Sequence, residues 1–513
     1  MNSNPHNEDE SGRKSYRTIL RSSGVIGGAS LINIVLSLLR MKVIAVLLGP
    51  AGVGLIGILQ NVMTASSNIG SLGISIAGTR QIAEASGNGD YNGIDVARRA
   101  LFWGAVVLAI ISGLVVWLSR DLIATKILNE RSLASTIGWL AVGVSLMIAA
   151  GSQQALLTGM RRISDIARIS IFSSVLSTVC GLPLVLWLSS DGLIWFVLLG
   201  PLGTFLVSHF FVAKLPKFSP KFRSGRGLGS QWKELVKLGL AFMVAGLVGT
   251  VGHLVVRSSV QTQLGVDQLG YFQASWIISM TYVGFVLNAM GTDYYPRLTA
   301  TINNSMEANK LINAQTEVAI MLAGPVLLGM LALAPLVVQL LYSSEFLPAV
   351  NVLRWQIFGD VLKLASWPLG FVMLAAGRGK LYVFSESFAV FVFALGTWLL
   401  LPYVGVQATG ISFALMYILY LPLVFWFARL KTGLRWSKSV KHVFLRLMLS
   451  AVAILGLSWW HELTGMLVGI CLTLMFGVLS LTRLVKMAEL TGPVGKAAGG
   501  LRKILDKIGL AHD

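Results

Sequence analysis

The sequence predicts an all-α polytopic membrane protein with about 14 transmembrane helices. Of its 513 residues, 55% are hydrophobic and only 12% are charged, and the mean hydropathy is +0.74. A soluble protein would carry about 25% charged residues. Apolar stretches of about 18 residues or more, long enough to cross a bilayer, recur along almost the whole chain.

Each predicted span is an apolar run bounded by polar or glycine-rich residues. The spans cover residues 22–48, 53–79, 100–118, 133–159, 164–188, 193–213, 238–261, 270–292, 317–341, 350–376, 381–401, 404–428, 443–460 and 463–482. The first 21 residues are polar and have no apolar core, so we expect no cleavable signal peptide.

The positions of Lys and Arg predict the orientation of these spans. With a cytoplasmic N-terminus, 32 of the 41 basic residues fall in cytoplasmic segments, three in external loops and six inside spans. Cytoplasmic loops of membrane proteins collect Lys and Arg, so both termini are predicted to be cytoplasmic. The same rule accounts for the net charge of +19 without a nucleic acid partner.

A weak internal duplication predicts how the spans are grouped. GPAGVGLIGILQ from Gly49 is similar to GVDQLGYFQASW from Gly265, and LTGMRRI ending at Ile163 is similar to AAGRGKL ending at Leu381. Each copy would hold six spans, an even number, which predicts two parallel six-helix repeats around a central cavity. The predicted domains are a cytoplasmic segment (1–21), an N-lobe (22–213), a basic linker (214–237), a C-lobe (238–430), two extra C-terminal helices (431–483) and a cytoplasmic amphipathic tail on the inner leaflet (484–513).

Two segments carry a resemblance to a known family. The sequence from Lys42 to Gly54 (KVIAVLLGPAGVG) and that from Trp355 to Phe388 (WQIFGDVLKLASWPLGFVMLAAGRGKLYVFSESF) resemble the Wzx-type O-antigen and enterobacterial common antigen translocases. These lipid III flippase-like proteins belong to the multidrug/oligosaccharidyl-lipid/polysaccharide (MOP) exporter superfamily. The resemblance extends over roughly residues 20–430. Many members have twelve spans, whereas the fourteen predicted here match the related lipid II flippases.

The resemblance implies a flippase that serves surface polysaccharide assembly, including the O-antigen of lipopolysaccharide. Its substrate would be an undecaprenyl-diphosphate-linked oligosaccharide, moved from the inner to the outer leaflet by alternating access. Membrane lipids, a polysaccharide polymerase and a chain-length regulator are the partners that this family implies. The two extra helices would offer the polyprenyl tail an apolar groove.

Basic residues inside spans are the candidate substrate ligands, because an isolated charge in hydrocarbon is costly. Lys42 and Arg257 lie at similar depths before the external ends of duplicated spans. Facing one cavity, they would bind a diphosphate, with Arg as a bidentate fork and Lys as a point charge. Snorkelling of both side chains to the outer interface is the alternative. Arg40 precedes Lys42 by two residues, about 200° around the helix, so only one of the two can face the cavity.

A second group of charged residues predicts gating or ion coupling. Asp360 and Lys363 either neutralise each other as a helical pair or make Asp360 a gate or an H⁺- or Na⁺-linked carboxylate, with Arg354 in the same span. Asp293 and Glu386 lie near cytoplasmic span ends, as gate partners or as helix-end structural residues. Polar span residues that would meet sugar hydroxyls, or else bond neighbouring helices, are Asn33, Gln60, Asn61 and Asn288.

The sequence also excludes several classes of protein. It has no G-x-x-x-x-G-K-[ST] loop, no metal-ligand spacing, and its two cysteines lie in apolar spans, so we predict no enzyme, no metal and no cofactor beyond H⁺ or Na⁺ coupling. An ion-coupled multidrug antiporter of the MATE type is the alternative, but it would need cavity carboxylates where the deep charges here are mostly positive. A glycan polymerase would need large external loops, and the longest predicted one is only Ser119–Ser132.

Overall fold

The structure is a computed structural model that is helical throughout the spans it describes. It describes the backbone of residues 5–215 and 228–488; within these ranges, the side chains of residues 5–27, 87, 190, 228–231, 233–246, 288–289, 292–293, 296 and 485–488 lie outside the described part. Residues 489–513 of the predicted amphipathic tail and residues 216–227 of the predicted basic linker also lie outside the described residues.

Sixteen α-helices follow one another in the described ranges. They are α1 (Pro5–Gly70), α2 (Ile74–Gly87), α3 (Tyr91–Leu118), α4 (Arg120–Leu122), α5 (Ala134–Gly159), α6 (Ile163–Leu188), α7 (Gly192–Ala213), α8 (Leu228–Leu264), α9 (Val266–Thr301), α10 (Ser305–Ala332), α11 (Ala334–Leu341), α12 (Ala349–Ala375), α13 (Gly379–Val404), α14 (Gln407–Thr432), α15 (Lys438–Trp460) and α16 (Glu462–Ala488). Helical backbone satisfies its own hydrogen bonds, which is what crossing hydrocarbon requires.

Eleven helical segments of the described chain are long and apolar enough to cross a membrane. Large apolar side chains point outward from them, including Trp103 and Trp187, which are 59% and 81% exposed. Such a surface is stable in lipid and not in water. The chain is therefore a multi-pass membrane protein, and the total of 14 spans remains a prediction.

Helix α1 contains the first predicted span and most of the second. Gly49 has φ 61° and ψ −162°, so the helix is kinked there, and Pro50 opens the next segment. Glycine tolerates this φ because it has no Cβ, and proline suits the first turn of a helix. The predicted boundary between residues 48 and 53 is thus confirmed.

The second predicted span, 53–79, is not one helix. Helix α1 ends at Gly70, Leu72 and Gly73 adopt left-handed φ values of 47° and 66°, and α2 starts at Ile74. Apolar periodicity continues through this turn, which is why the sequence predicted an unbroken helix. The corresponding helix of the second repeat, α9, has no such break.

The predicted duplication is visible in the backbone. Helices α6 and α13 both begin and both end 216 residues apart. Arg162 and Arg378, the residues before these helices, have φ/ψ of −77°/56° and −90°/56°. The left-handed residues recur at the same offset, as the pairs Gly49 and Gly265, Arg161 and Gly377, and Ser189 and Gly405. The offset is therefore 216, and the sequence match ending at Ile163 and Leu381 was displaced by two residues.

The described chain forms two compact units, which meet in sequence between Gly270 and Tyr271. In the first unit, α6 packs against α1 and α7, α3 against α5, and α8 against α1, α2 and α3. In the second unit, α12 packs against α10 and α14 and is largely buried, and α15 and α16 pack against α10. The division into lobes at 22–213 and 238–430 remains a prediction.

Two glycines let the backbones of α1 and α9 touch inside the first unit. A methyl group on Gly54 would lie 2.8 Å from Gly270 N and would also overlap the carbonyl oxygen of Val266. A methyl group on Gly270 would lie 2.6 Å from the carbonyl carbon of Pro50. Since Pro50 and Gly54 correspond to Val266 and Gly270 at the offset of 216, the contact is reciprocal.

Replacing either glycine by alanine should destabilise the protein. We expect Gly54→Ala and Gly270→Ala each to cost about 1–3 kcal/mol, because the added methyl group must displace main chain. The matched control is Gly28→Ala in α1, where nothing lies within 4 Å of the added carbon. The measurement is the thermal unfolding midpoint in detergent; equal midpoints for Gly54→Ala and Gly28→Ala would contradict the expected clash.

Candidate functional site

The predicted cation Arg40 lies at the interface between α1 and α6. Its Nη1 donates a hydrogen bond to Ser177 Oγ at 2.7 Å, and seven residues earlier Asn33 Nδ2 donates to Ser170 Oγ at 2.5 Å. The equal spacing on both helices shows that they run in the same direction here. Arg40 and Asn33 are thus helix-packing residues in this structure, and their predicted contacts with substrate remain predictions.

Lys42 and Arg257 occupy adjacent, not equivalent, positions of the two repeats. At the offset of 216, Lys42 corresponds to Ser258 and Arg257 to Met41. Met41 and Arg257 are both buried, 7% and 6% exposed, whereas Lys42 and Ser258 are half-buried. Because adjacent residues on a helix are about 100° apart, the two cations leave their helices in different directions. Their positions in the duplicated spans therefore differ by one residue, and the diphosphate site that they would form remains a prediction.

Arg257 belongs to a polar face of α8. Its Nη1 donates to the carbonyl oxygen of His253 at 3.4 Å, one turn earlier. Gln261, one turn later, is 6% exposed, and neither its Nε2 nor its Oε1 has a hydrogen-bond partner among the described residues. Buried polar atoms in an apolar environment are costly unless they meet a partner. The four-residue spacing between Arg257 and Gln261 was the signal in the sequence that pointed to Gln261, and it was missed.

The predicted glycan-lining residues are placed differently from one another. Gln60 is exposed, while Asn61 is half-buried with an Oδ1 that has no partner in the described part of the chain. The side chain of Asn288 and that of the predicted gate residue Asp293 lie outside the described residues. The proposed contacts with sugar therefore remain predictions.

The second unit holds the predicted pair of Asp360 and Lys363 at its centre. Asp360 is fully buried and accepts a hydrogen bond from Ser279 Oγ of α9. Lys363 Nζ lies 3.8 Å from Asp360 Oδ1, and donates a weak hydrogen bond to Met280 Sδ at 3.3 Å. The ion pair predicted from their spacing is present, and Ser279 is an additional partner that sequence spacing could not reveal.

Glu386 extends this charged cluster. It accepts a hydrogen bond from Tyr420 Oη at 2.5 Å and interacts electrostatically with Lys363. The ring of Tyr417 lies 6.0 Å from Lys363 Nζ and 6.0 Å from the ring of Tyr420. Two carboxylates, one ammonium group and two phenols are thus gathered between α12, α13 and α14. The sequence identified the three charged groups but not the tyrosines.

Arg354 of α12 forms an ion pair with a residue of α16, a helix outside the two predicted repeats. Both of its terminal nitrogens bond the carboxylate of Glu462, the first residue of α16, with Nη1 to Oε2 at 3.1 Å. Its side chain is 3% exposed, whereas that of Glu462 is 53% exposed. The bidentate pair fixes α16 to α12. The gating role predicted for Arg354 is untested, and the structure shows an anchoring contact.

Comparison with known proteins supplies the family. A model of the family described as "Polysaccharide biosynthesis protein" matches residues 43–351. The lipid III flippases of Escherichia coli K12 and Shigella flexneri are each 22% identical over 413 residues, which is 79% of this chain and 97% of theirs.

Solved structures share the fold. An inward-facing multidrug resistance MATE family transporter of the MOP superfamily aligns with a TM-score of 0.67 and 15% identity, over 82% of this chain and 99% of that one. The lipid II flippase MurJ in an inward closed conformation aligns with a TM-score of 0.64 and 14% identity, over 89% and 98%.

The duplicated helical architecture, the buried intramembrane charges and these alignments define the class as membrane proteins with the MOP superfamily fold. Within that class, the chain belongs to the polysaccharide biosynthesis protein family, whose model covers more than half of its length. Among the described residues, no group of three or more His, Cys, Asp or Glu side chains is placed to hold a metal ion.

The buried pair in α12 can be tested through stability. We expect Asp360→Asn to cost about 3 kcal/mol, because it leaves the Lys363 ammonium group without its adjacent counter-charge. The double variant Asp360→Asn/Lys363→Met should recover most of that loss, since it removes both charges. Thermal unfolding in detergent measures both. A single variant as stable as the parent protein would show that the pair contributes nothing to the fold.

Proposed function

We propose that this protein is a flippase that moves an undecaprenyl-diphosphate-linked oligosaccharide from the inner to the outer leaflet for surface polysaccharide assembly. The observation that carries the proposal is the sign of the charge in the first unit. Its helices α1 and α8 bear Arg40, Lys42 and the buried Arg257, and the whole segment Gly28–Gly70 contains no Asp or Glu. An anion is the ligand that such a set of side chains attracts.

A diphosphate is the anion that suits these residues. The planar guanidinium group of Arg257 would bond two phosphate oxygens in place of its present contacts, and the neighbouring Gln261 adds an amide whose two polar atoms have no partner among the described residues. Lys42 offers a mobile point charge from a half-buried position on α1. Each of these interactions replaces water that the phosphates lose on leaving the interface, and an unpaired anion would not cross hydrocarbon.

Translocation then requires two conformations with different affinities for the head group. We propose that the lipid tail stays in the bilayer while the head group is carried past the membrane centre by alternating access. The cluster of Asp360, Lys363 and Glu386 is our candidate for coupling to H⁺ or Na⁺, because carboxylates in a span change their partners when they bind a cation. We further propose that the protein lies in a bacterial inner membrane with both termini in the cytoplasm. A polysaccharide polymerase and a chain-length regulator would be its partners.

The antiporter alternative is less well supported. A cationic drug would need carboxylates that are open to it, yet Asp360 is fully buried against Ser279 and Lys363, and Glu386 is bonded to Tyr420. The relatives named lipid III flippases align over 97% of their own length, which supports a lipid-linked substrate as well.

Depletion of the protein tests the proposed function. Mass spectrometry of the lipid extract should show one undecaprenyl-diphosphate oligosaccharide accumulating in depleted cells and disappearing when the gene is restored. The mass of that intermediate would also identify the sugar. An unchanged lipid pool together with new sensitivity to cationic drugs would overturn the proposal in favour of the antiporter.

Arg257→Met tests the anion ligand. Methionine occupies the corresponding position 41 of the first repeat, so the variant should fold while losing the charge-assisted bonds to phosphate. We expect transport to fall by about a hundredfold. Arg168→Met, which removes an exposed basic residue paired with Asp165 at 3.3 Å, is the matched control and should retain transport. Normal export by folded Arg257→Met protein would contradict the proposal that Arg257 binds the phosphate.

A further inference from the structure

A cavity of the first unit is lined by none of the cations of the proposed substrate site. It has a volume of about 380 Å³ and is formed by α3, α5 and α7 of the first unit. The residues that line it come from the first turns of α3 and from the last turns of α5 and α7. The distribution of Lys and Arg predicts that these three helix ends are cytoplasmic.

One wall of the cavity is apolar and runs from the buried Leu101 and Leu156 to exposed aromatic side chains at the surface. Leu101, Phe102 and Leu156 belong to it, together with Trp103. Phe102 and Trp103 are 56% and 59% exposed, and their rings meet edge to face with centroids 5.5 Å apart. An aromatic pair at the end of a transmembrane helix marks the interface between hydrocarbon and head groups. A lipid chain therefore has access to this wall from the bilayer.

The opposite rim is polar and carries an excess of positive charge. Arg99 is neutralised by Asp95 at 3.2 Å, whereas Arg98 forms no ion pair with any described residue. Gln153 presents a buried Oε1 that no described donor reaches, and His209 adds a ring nitrogen at the rim. The rim thus offers one cation for an anion and one acceptor for a hydrogen-bond donor.

We propose that this cavity binds an anionic phospholipid of the inner leaflet, with phosphatidylglycerol as its occupant. The phosphate would bind Arg98, and a glycerol hydroxyl would donate a hydrogen bond to Gln153 Oε1. The part of one acyl chain next to the head group would lie along Phe102 and Leu156. Phosphatidylglycerol supplies both the negative charge and the hydroxyl donor that the rim lacks. Charge complementarity and the unmatched acceptor distinguish this groove from the ordinary lipid-facing surface.

The lipid site is independent of the proposed transport function. Its volume is at the lower end of the range of small-molecule pockets, about 300–1,000 Å³, which suits a phospholipid head group rather than an oligosaccharide. None of its lining residues is among the candidate ligands on α1 and α8. A bound lipid here would bridge the ends of α3, α5 and α7.

Native mass spectrometry of the delipidated full-length protein tests the proposal. The protein is titrated with phosphatidylglycerol and, separately, with phosphatidylethanolamine of the same acyl chains. Arg98→Gln removes the cation, and Ala213→Trp fills the cavity from its exposed rim without changing any charge. Arg80→Gln, which removes an exposed basic residue of α2, is the matched control.

We expect the parent protein and Arg80→Gln to bind one phosphatidylglycerol more tightly than phosphatidylethanolamine. Both cavity variants should weaken that binding by about tenfold. Arg98→Gln removes one charge-assisted hydrogen bond, and the Ala213→Trp side chain takes up the space of the lipid. Undiminished binding by folded Arg98→Gln and Ala213→Trp proteins would overturn the proposal. So would equal binding of the two lipids, or displacement of phosphatidylglycerol by equimolar undecaprenyl phosphate, which would make the cavity a substrate site. None of these results depends on transport activity.

Discussion

The reciprocal backbone contact between Pro50–Gly54 and Val266–Gly270 is the constraint on which the arrangement of the first unit depends. Helices in lipid gain little from burying apolar surface, so close packing through small residues takes the place of the hydrophobic effect. Here each glycine receives the main chain of the opposite copy, as in a two-fold symmetric interface. The contact lies directly after the kink at Gly49 in α1 and directly after Gly265, which follows α8, so it constrains the ends of the helical segments that carry the three cations.

The two units carry different electrostatic chemistry. In the first unit, the charged groups inside the spans of α1 and α8 are basic, and Arg257 is buried where the other repeat has a methionine. In the second unit, Asp360, Lys363 and Glu386 compensate one another and are held by hydroxyl groups of Ser279 and Tyr420. A single duplicated architecture thus supports an anion-attracting set of residues in one unit and a nearly neutral cluster in the other.

The sequence predicted the fold class, the duplication and the Asp360–Lys363 pair, because each follows from hydropathy or from spacing along one helix. It could not predict contacts between helices. Ser177 and Glu462 are far in sequence from Arg40 and Arg354, and nothing in local spacing connects them. The sequence failed to predict the helix break at Leu72 for another reason. Apolar periodicity reports which residues avoid water, and it continues through a left-handed turn that changes only the backbone.

The contact between Arg354 and Glu462 has a consequence for how the protein is made. Helix α16 is the last described helix to leave the ribosome, so α12 enters the bilayer with a guanidinium group whose partner does not yet exist. That charge must stay hydrated, or the insertion of α12 must wait, until α16 has been synthesised. The second unit can therefore be completed only after α16 has been synthesised, and a chain that ended before α16 would leave the Arg354 guanidinium group without this counter-charge in α12.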